Sequence, residues 1–149
     1  MSEYGPDDMQ VLDDPLAFIR RHPEMFLGDL ALDDPALPAY LTYHVSDQAA
    51  ILGSSVVTTA VDDFQLVCCV PDWLPPDVWP YFTRLLPFPE RGPNSFHSTV
   101  LLTAFASAVF TQGRNDDRLS VISGAVSGPV EAVVGDLLTR FDRLIGFAV

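Results

Sequence analysis

Chemistry in this chain would have to come from a small set of side chains: three histidines, two adjacent cysteines and a series of paired aspartates. His22, His44 and His97 are scattered, and none falls in a His-Glu-x-x-His or Cys-x-x-Cys arrangement, so the spacing offers no metal site. Cys68 and Cys69 lie inside the apolar run Phe64-Gln-Leu-Val-Cys-Cys-Val70. Successive residues of a strand face opposite ways, so both read as small core side chains rather than as a disulfide or zinc pair. A hydrolase serine needs a sharp Gly-x-Ser-x-Gly turn, and the nearest approach, Gly124-Ala-Val-Ser-Gly128, has the wrong spacing. His97 has Ser95 and Ser98 beside it, but sequence neighbours seldom share the geometry of a triad, and helix capping accounts for Asn94 and Ser98. The pairs Asp7-Asp8, Asp13-Asp14, Asp33-Asp34, Asp62-Asp63 and Asp116-Asp117 are of the kind that turns expose to solvent. Neither a P-loop nor a dinucleotide glycine fingerprint occurs. The expectation is a protein that is not an enzyme and holds neither metal nor cofactor.

The elements that would position any site can be read from periodicity and from turn residues. Residues 1–14 carry five acids and no base, and read as a loose acidic arm. Asp14-Pro15 opens a short helix that stops near His22, ahead of Pro23. Met25-Phe-Leu-Gly28 reads as a short extended or turn element, and Asp29 to Pro38 as an acidic loop. Leu41, Val45, Ala49 and Leu52 recur at helical spacing, which predicts a helix from Ala39 to Leu52 stopped by Gly53. Ser55–Val61 and Phe64–Val70 form a hairpin about Asp62-Asp63. Residues 71–93 hold seven prolines interleaved with Trp73, Trp79, Tyr81, Phe82 and Phe88, a stiff aromatic segment with a short helix between Asp77 and Leu85. Ser98 to Phe110, apolar on nearly every face, suits a buried helix, Gln112 to Asp117 a polar turn, and Leu119 to Ala125 a strand. Pro129 opens a helix whose stripe runs from Val130 to Leu144, and Gly146 to Val149 reads as an edge strand. The sum is a single α+β domain over residues 15–149. It is a two-layer sandwich in which a mixed or antiparallel sheet of about four or five strands is covered by helices.

At 149 residues, with 48% apolar and 19% charged residues, the chain suits one globular domain and has no apolar run of the roughly 20 residues a membrane span needs. The amino terminus is acidic where a secretory signal is basic and then apolar, so the expectation is a cytoplasmic protein without a membrane. Twenty acids against eight bases, all arginine, leave a net charge of −12. Such a field repels phosphate backbones, which disfavours direct nucleic-acid binding and leaves mimicry of nucleic acid toward a basic partner as one reading of the acidity.

Phe18-Ile-Arg-Arg-His-Pro-Glu-Met-Phe-Leu-Gly28 resembles the Arg-x-Arg-Pro-Gly-Met-Tyr-Ile-Gly segment near the start of the DNA gyrase B ATPase domain, in the GHKL superfamily. The later elements come in a compatible order: a helix, a hairpin, Asp72 just after the second strand, a loop and a buried helix. The resemblance implies a shortened GHKL-like fold, with Asp72 as the adenine contact if a nucleotide binds, and a dimer contact at Met25, Phe26 and Leu27. The catalytic parts are missing. Where the family's nucleotide helix supplies a glutamate and a magnesium-binding asparagine, this helix offers Tyr40, Tyr43, His44 and Asp47. The family's Asp-x-Gly-x-Gly appears as Asp72-Trp-Leu-Pro-Pro76, in which tryptophan and proline replace flexible residues, and Gly92 stands alone where lid glycines are expected.

The leading expectation is therefore a non-catalytic GHKL-like interaction module, a subunit or regulator in a bacterial assembly. Its partner would be another protein or a second copy, and Met25, Phe26, Leu27, Trp73 and Trp79 would be its contacts. Alternatives are a nucleotide-binding or weakly ATPase domain using Asp72, and an acidic inhibitor or nucleic-acid mimic.

Overall fold

A computed structural model of the chain describes residues 14–149; the remainder of the expected acidic arm, residues 1–13, lies outside the described residues. Asp14 caps the first helix, α1 (Pro15–Arg21), its Oδ1 accepting from the Ala17 amide at 3.2 Å, with proline at the first position. Residues 23–27 are not extended. They form a second short helix, α2 (Pro23–Leu27), because Pro23 and Glu24 both suit a helix start. Gly28 ends it at φ +61, in the left-handed region that favours glycine. The next helix, α3 (Leu37–Ile51), begins ahead of the expected Ala39, since Asp34 Oδ1 accepts from the Ala36 amide at 2.8 Å and Pro38 occupies the first turn. Its inward stripe is Leu37, Leu41, Val45, Gln48 and Ala49.

The hairpin forms as its pattern implies: β1 (Ser55–Val61) pairs antiparallel with β2 (Phe64–Val70), Val61 facing Phe64 across Asp62-Asp63. Helix α4 (Trp79–Thr83) then crosses the proline-rich segment. The long buried helix expected over 98–110 is divided. Helix α5 (Thr99–Phe105) ends where Arg20 of α1 donates from Nε to the Ala104 carbonyl and from Nη2 to the Thr103 carbonyl, both at 3.0 Å. A guanidinium at the carboxyl end of a helix satisfies its free carbonyls and complements its dipole. The chain extends at Ala106 and continues as β3 (Ala108–Gly113), which takes Gln112 out of the expected turn. Apolarity on every face does not separate a buried helix from a buried strand, and here it covered one of each.

After β4 (Ser120–Ser123), helix α6 (Gly128–Leu137) starts at Ser127, whose hydroxyl accepts from the Val130 amide. It stops before Leu144, which belongs to β5 (Arg143–Ala148). That strand is not an edge: the sheet order is β1-β2-β5-β3-β4, antiparallel at every junction, so the last strand is the central one. Alternation divides its side chains between two cores. Val67, Cys69, Val109, Ile145 and Phe147 meet α1 to α5, while Leu66, Cys68, Phe110 and Leu144 meet Val130, Val134 and Leu138 on or just beyond α6. Gly146 lets the Phe110 ring lie across the central strand, where an added Cβ would collide with it. Among the described residues the fold is thus an α+β sandwich with one open five-stranded antiparallel sheet and six helices. Its main helical layer is α1 to α5, and α6 covers part of the reverse face.

Candidate functional site

Two polar corners flank the helical layer. The first lies where α2, α3 and residues 91–101 converge on a cleft of about 220 Å3. Met25, Phe26, His44, Arg91, Ser95 and Ser98 are among its lining. Beneath it Gln48, fully buried on α3, bonds through Nε2 to Nδ1 of His97 at 2.6 Å and accepts the Ser98 amide on Oε1. The His97 ring stacks on Phe88 at 4.6 Å and meets Tyr81 edge-on at 4.8 Å. Burial lowers the pKa of His97, opposed by the charge of Glu90; because Gln48 Oε1 takes the Ser98 amide, its Nε2 is the donor and His97 Nδ1 the acceptor. Burial followed by the Arg91 charge lowers that of His44, with Asp47 opposing. Arg91 itself closes the cleft through Nη1 to Asp47 at 3.2 Å, and the Phe26 and Phe96 rings meet edge to face at 5.5 Å.

These two histidines make stability depend on pH. A histidine whose folded pKa lies below its unfolded value near 6.5 binds fewer protons in the native state, so stability rises with pH between the two values. The contribution is complete above about pH 6.5 and is lost as pH falls through that window. Denaturant midpoints should therefore drop between pH 7.5 and 5. His97→Gln, which cannot take the proton, is expected to flatten the profile partly and the His44→Gln/His97→Gln pair further; unchanged profiles would contradict the assignment.

The second corner is built on the central strand. Arg143, 4% exposed at the start of β5, donates from Nε and Nη2 to the two oxygens of Asp72 at 3.0 and 2.9 Å and from Nη1 to the Thr111 hydroxyl at 3.3 Å. Asp116 lies 3.7 Å from Nη1. Asp72, Asp116 and Arg143 line a cleft of about 620 Å3, together with Asp142 and Arg114, which pair at 3.3 Å. Asp72 additionally accepts the Leu74 amide at 3.0 Å, so both its oxygens are engaged.

The residues expected to make contacts are not gathered on one surface. Leu27 is buried in the main core and offers nothing to a partner. Phe26 packs half-buried between Phe18 and Phe96, and its carbonyl accepts from the Tyr40 hydroxyl at 2.8 Å. Met25 stands 63% exposed at the lip of the first cleft. Trp73 lies against the core with Nε1 directed at Cys69 Sγ at 3.3 Å, whereas Trp79 is 47% exposed. Gln48 and Arg143 are residues that sequence reasoning missed, and His97 was weighed there only as a metal ligand or triad histidine and set aside. Gln48 had a signal, since a glutamine at i+7 from Leu41 interrupts the apolar stripe of α3; Arg143 had none. Burial raises both cysteine thiols to about 11, which leaves them unreactive at neutral pH. Among the described residues no group of three or more histidine, cysteine, aspartate or glutamate side chains is placed to hold a metal ion, and no helix is long and apolar enough to cross a membrane. No family model matches the chain, and no curated protein or solved structure matches it either.

Proposed function

We propose that the chain is a non-catalytic protein-interaction module with a shortened GHKL-like order of elements, acting in the bacterial cytoplasm as a subunit or regulator of a larger assembly. The observation that carries this reading is that the polar groups available to a nucleotide are already used by one another. Gln48 is bonded to His97 and Ser98, Arg91 to Asp47, and Arg143 to Asp72. The cleft over the first network, about 220 Å3, lies below the roughly 300–1,000 Å3 of small-molecule sites. The larger one beside Asp72 presents three carboxylates, and both arginines lining it are neutralised, which repels a triphosphate. The order helix, hairpin, Asp72, loop and buried helix supports the GHKL-like part.

Thermal melting with ATP or GTP and magnesium tests the reading. A ligand that binds only the folded state must raise its melting temperature, by RT ln(1 + [L]/Kd) in free energy. The expected result is no displacement at millimolar nucleotide. A rise of several degrees would establish a nucleotide site and remove the proposal.

A further inference from the structure

The sheet's two edges are unlike. The β4 edge is four residues long, and its pairing with β3 is interrupted by a register shift at Val109/Phe110, the kind of blunting that protects an edge. The β1 edge is seven residues, Ser55-Val-Val-Thr-Thr-Ala-Val61, with no charge, proline or bulge, and every residue is exposed or half-exposed. Val61 and Phe64 close a two-residue hairpin, and hydrogen-bonded pairs alternate from there. Val56, Thr58 and Ala60 therefore direct their backbone N–H and C=O groups away from β2. On the helical face an open trough of about 730 Å3 runs between α3 and β1, lined by Tyr43, Asp47, Ala50, Val56, Thr58 and Gln65. Val57, on the reverse face, is 52% exposed.

Charge decides what fits this edge. No basic residue lines the trough; its one acid, Asp47, is paired with Arg91, and the free negative charge of this edge is the exposed pair Asp62-Asp63 that follows Val61 at the end of β1. A second copy would carry the same net charge of −12, which opposes self-pairing at moderate salt. We infer that β1 receives an extended segment of a basic partner protein. The segment adds as an antiparallel sixth strand through Val56, Thr58 and Ala60, with small or β-branched residues over the trough and arginine or lysine at its amino-terminal end beside Asp62-Asp63. In such strand addition the backbone bonds supply affinity and the alternate side chains and end charges supply choice.

This inference rests on the reading of the chain as an interaction module and is tested separately from it. The probe is the synthetic peptide acetyl-Arg-Arg-Val-Thr-Val-Thr-Val-amide, with a second peptide carrying two glutamates in place of the arginines. Binding is followed by fluorescence anisotropy and by amide hydrogen exchange. The basic peptide is expected to bind and to slow exchange at Val56, Thr58 and Ala60, more weakly as salt rises. The acidic peptide is expected not to bind. Asp62→Asn/Asp63→Asn should weaken binding on the order of fivefold, the range of exposed charge pairs. Thr58→Pro should abolish it, because an outward N–H is where an edge strand tolerates proline in the fold. A melting temperature close to that of the parent certifies the variant; should it not fold, Thr58→Lys, which adds a like charge to the basic segment, takes its place. No binding of the basic peptide at millimolar concentration, binding that survives both Thr58 variants, or protection of these amides that grows with protein concentration in the absence of peptide would each overturn the assignment. The last would make the occupant a second copy. A nucleotide-induced rise in melting temperature would instead sink the non-catalytic reading, whatever the peptides do.

Discussion

Asp72→Ala is expected to destabilise the protein by about 2–4 kcal/mol, read as a lower denaturant midpoint with an unchanged slope. Removing one member of a buried pair leaves the other uncompensated, at a cost of roughly 3–5 kcal/mol, and the one-third exposure of the Asp72 side chain admits water that softens it. Arg143 would keep only Thr111 and the more distant Asp116. The loss falls on the strand that joins the two halves of the sheet, so it should be felt by the whole fold. Asp72→Leu/Arg143→Met is expected to recover part of the stability, since replacing both members by apolar groups of similar volume is often neutral or better. A neutral Asp72→Ala would show that the carboxylate is free for a ligand and would return the adenine-contact role that the resemblance implies.

The second large effect is expected at Gln48→Leu. Leucine nearly conserves volume, so little cavity forms, but the Ser98 amide and His97 Nδ1 both lose their partner in a site closed to water. Each unsatisfied buried group costs about 1–3 kcal/mol, so for the two a loss of about 2–6 kcal/mol is expected in denaturant titrations. The change should also uncouple the loop: exchange of the His97 and Ser98 amides should quicken more than that of the sheet, because Gln48 is the side chain that ties residues 97 and 98 to α3. Equal quickening throughout would mean that the network serves global stability only. Gln48→Glu separates the two functions of the side chain. It keeps an acceptor for Ser98 but offers His97 no amide donor, so its deficit should shrink as falling pH protonates the ring.

Some elements were legible in the sequence and others were not, and particular residues show why. The β1–β2 hairpin was readable because alternating and apolar β-branched runs flank two aspartates, and α6 because Pro129 opens a long apolar stripe. In both, the deciding information is local. The stretch from Ser98 to Phe110 was not readable, because its apolarity suits any buried element; what divides it is Arg20, 83 and 84 residues away along the chain. The same holds for β5, read as an edge and found at the centre: its place is set by pairing with β2 and β3, strands distant along the chain. Of the residues expected to make contacts, Met25 and Trp79 are exposed, while Leu27 and Trp73 are apolar residues that pack into or against the core.

By itself the sequence determined the class of the fold, the hairpin, the acidic character, and the lack of any familiar catalytic or metal-binding spacing. Those depend on residue type and short-range period, which act over a few residues. Tertiary structure alone decided that Arg143 meets Asp72, that Gln48 meets His97, and that β1 lies at the edge of the sheet among the described residues, because each is a relation between groups far apart in the chain. The physical reason is that a buried charge or amide must find its partner wherever folding brings one within about 3 Å, and the spacing of residues along a chain carries no record of that distance.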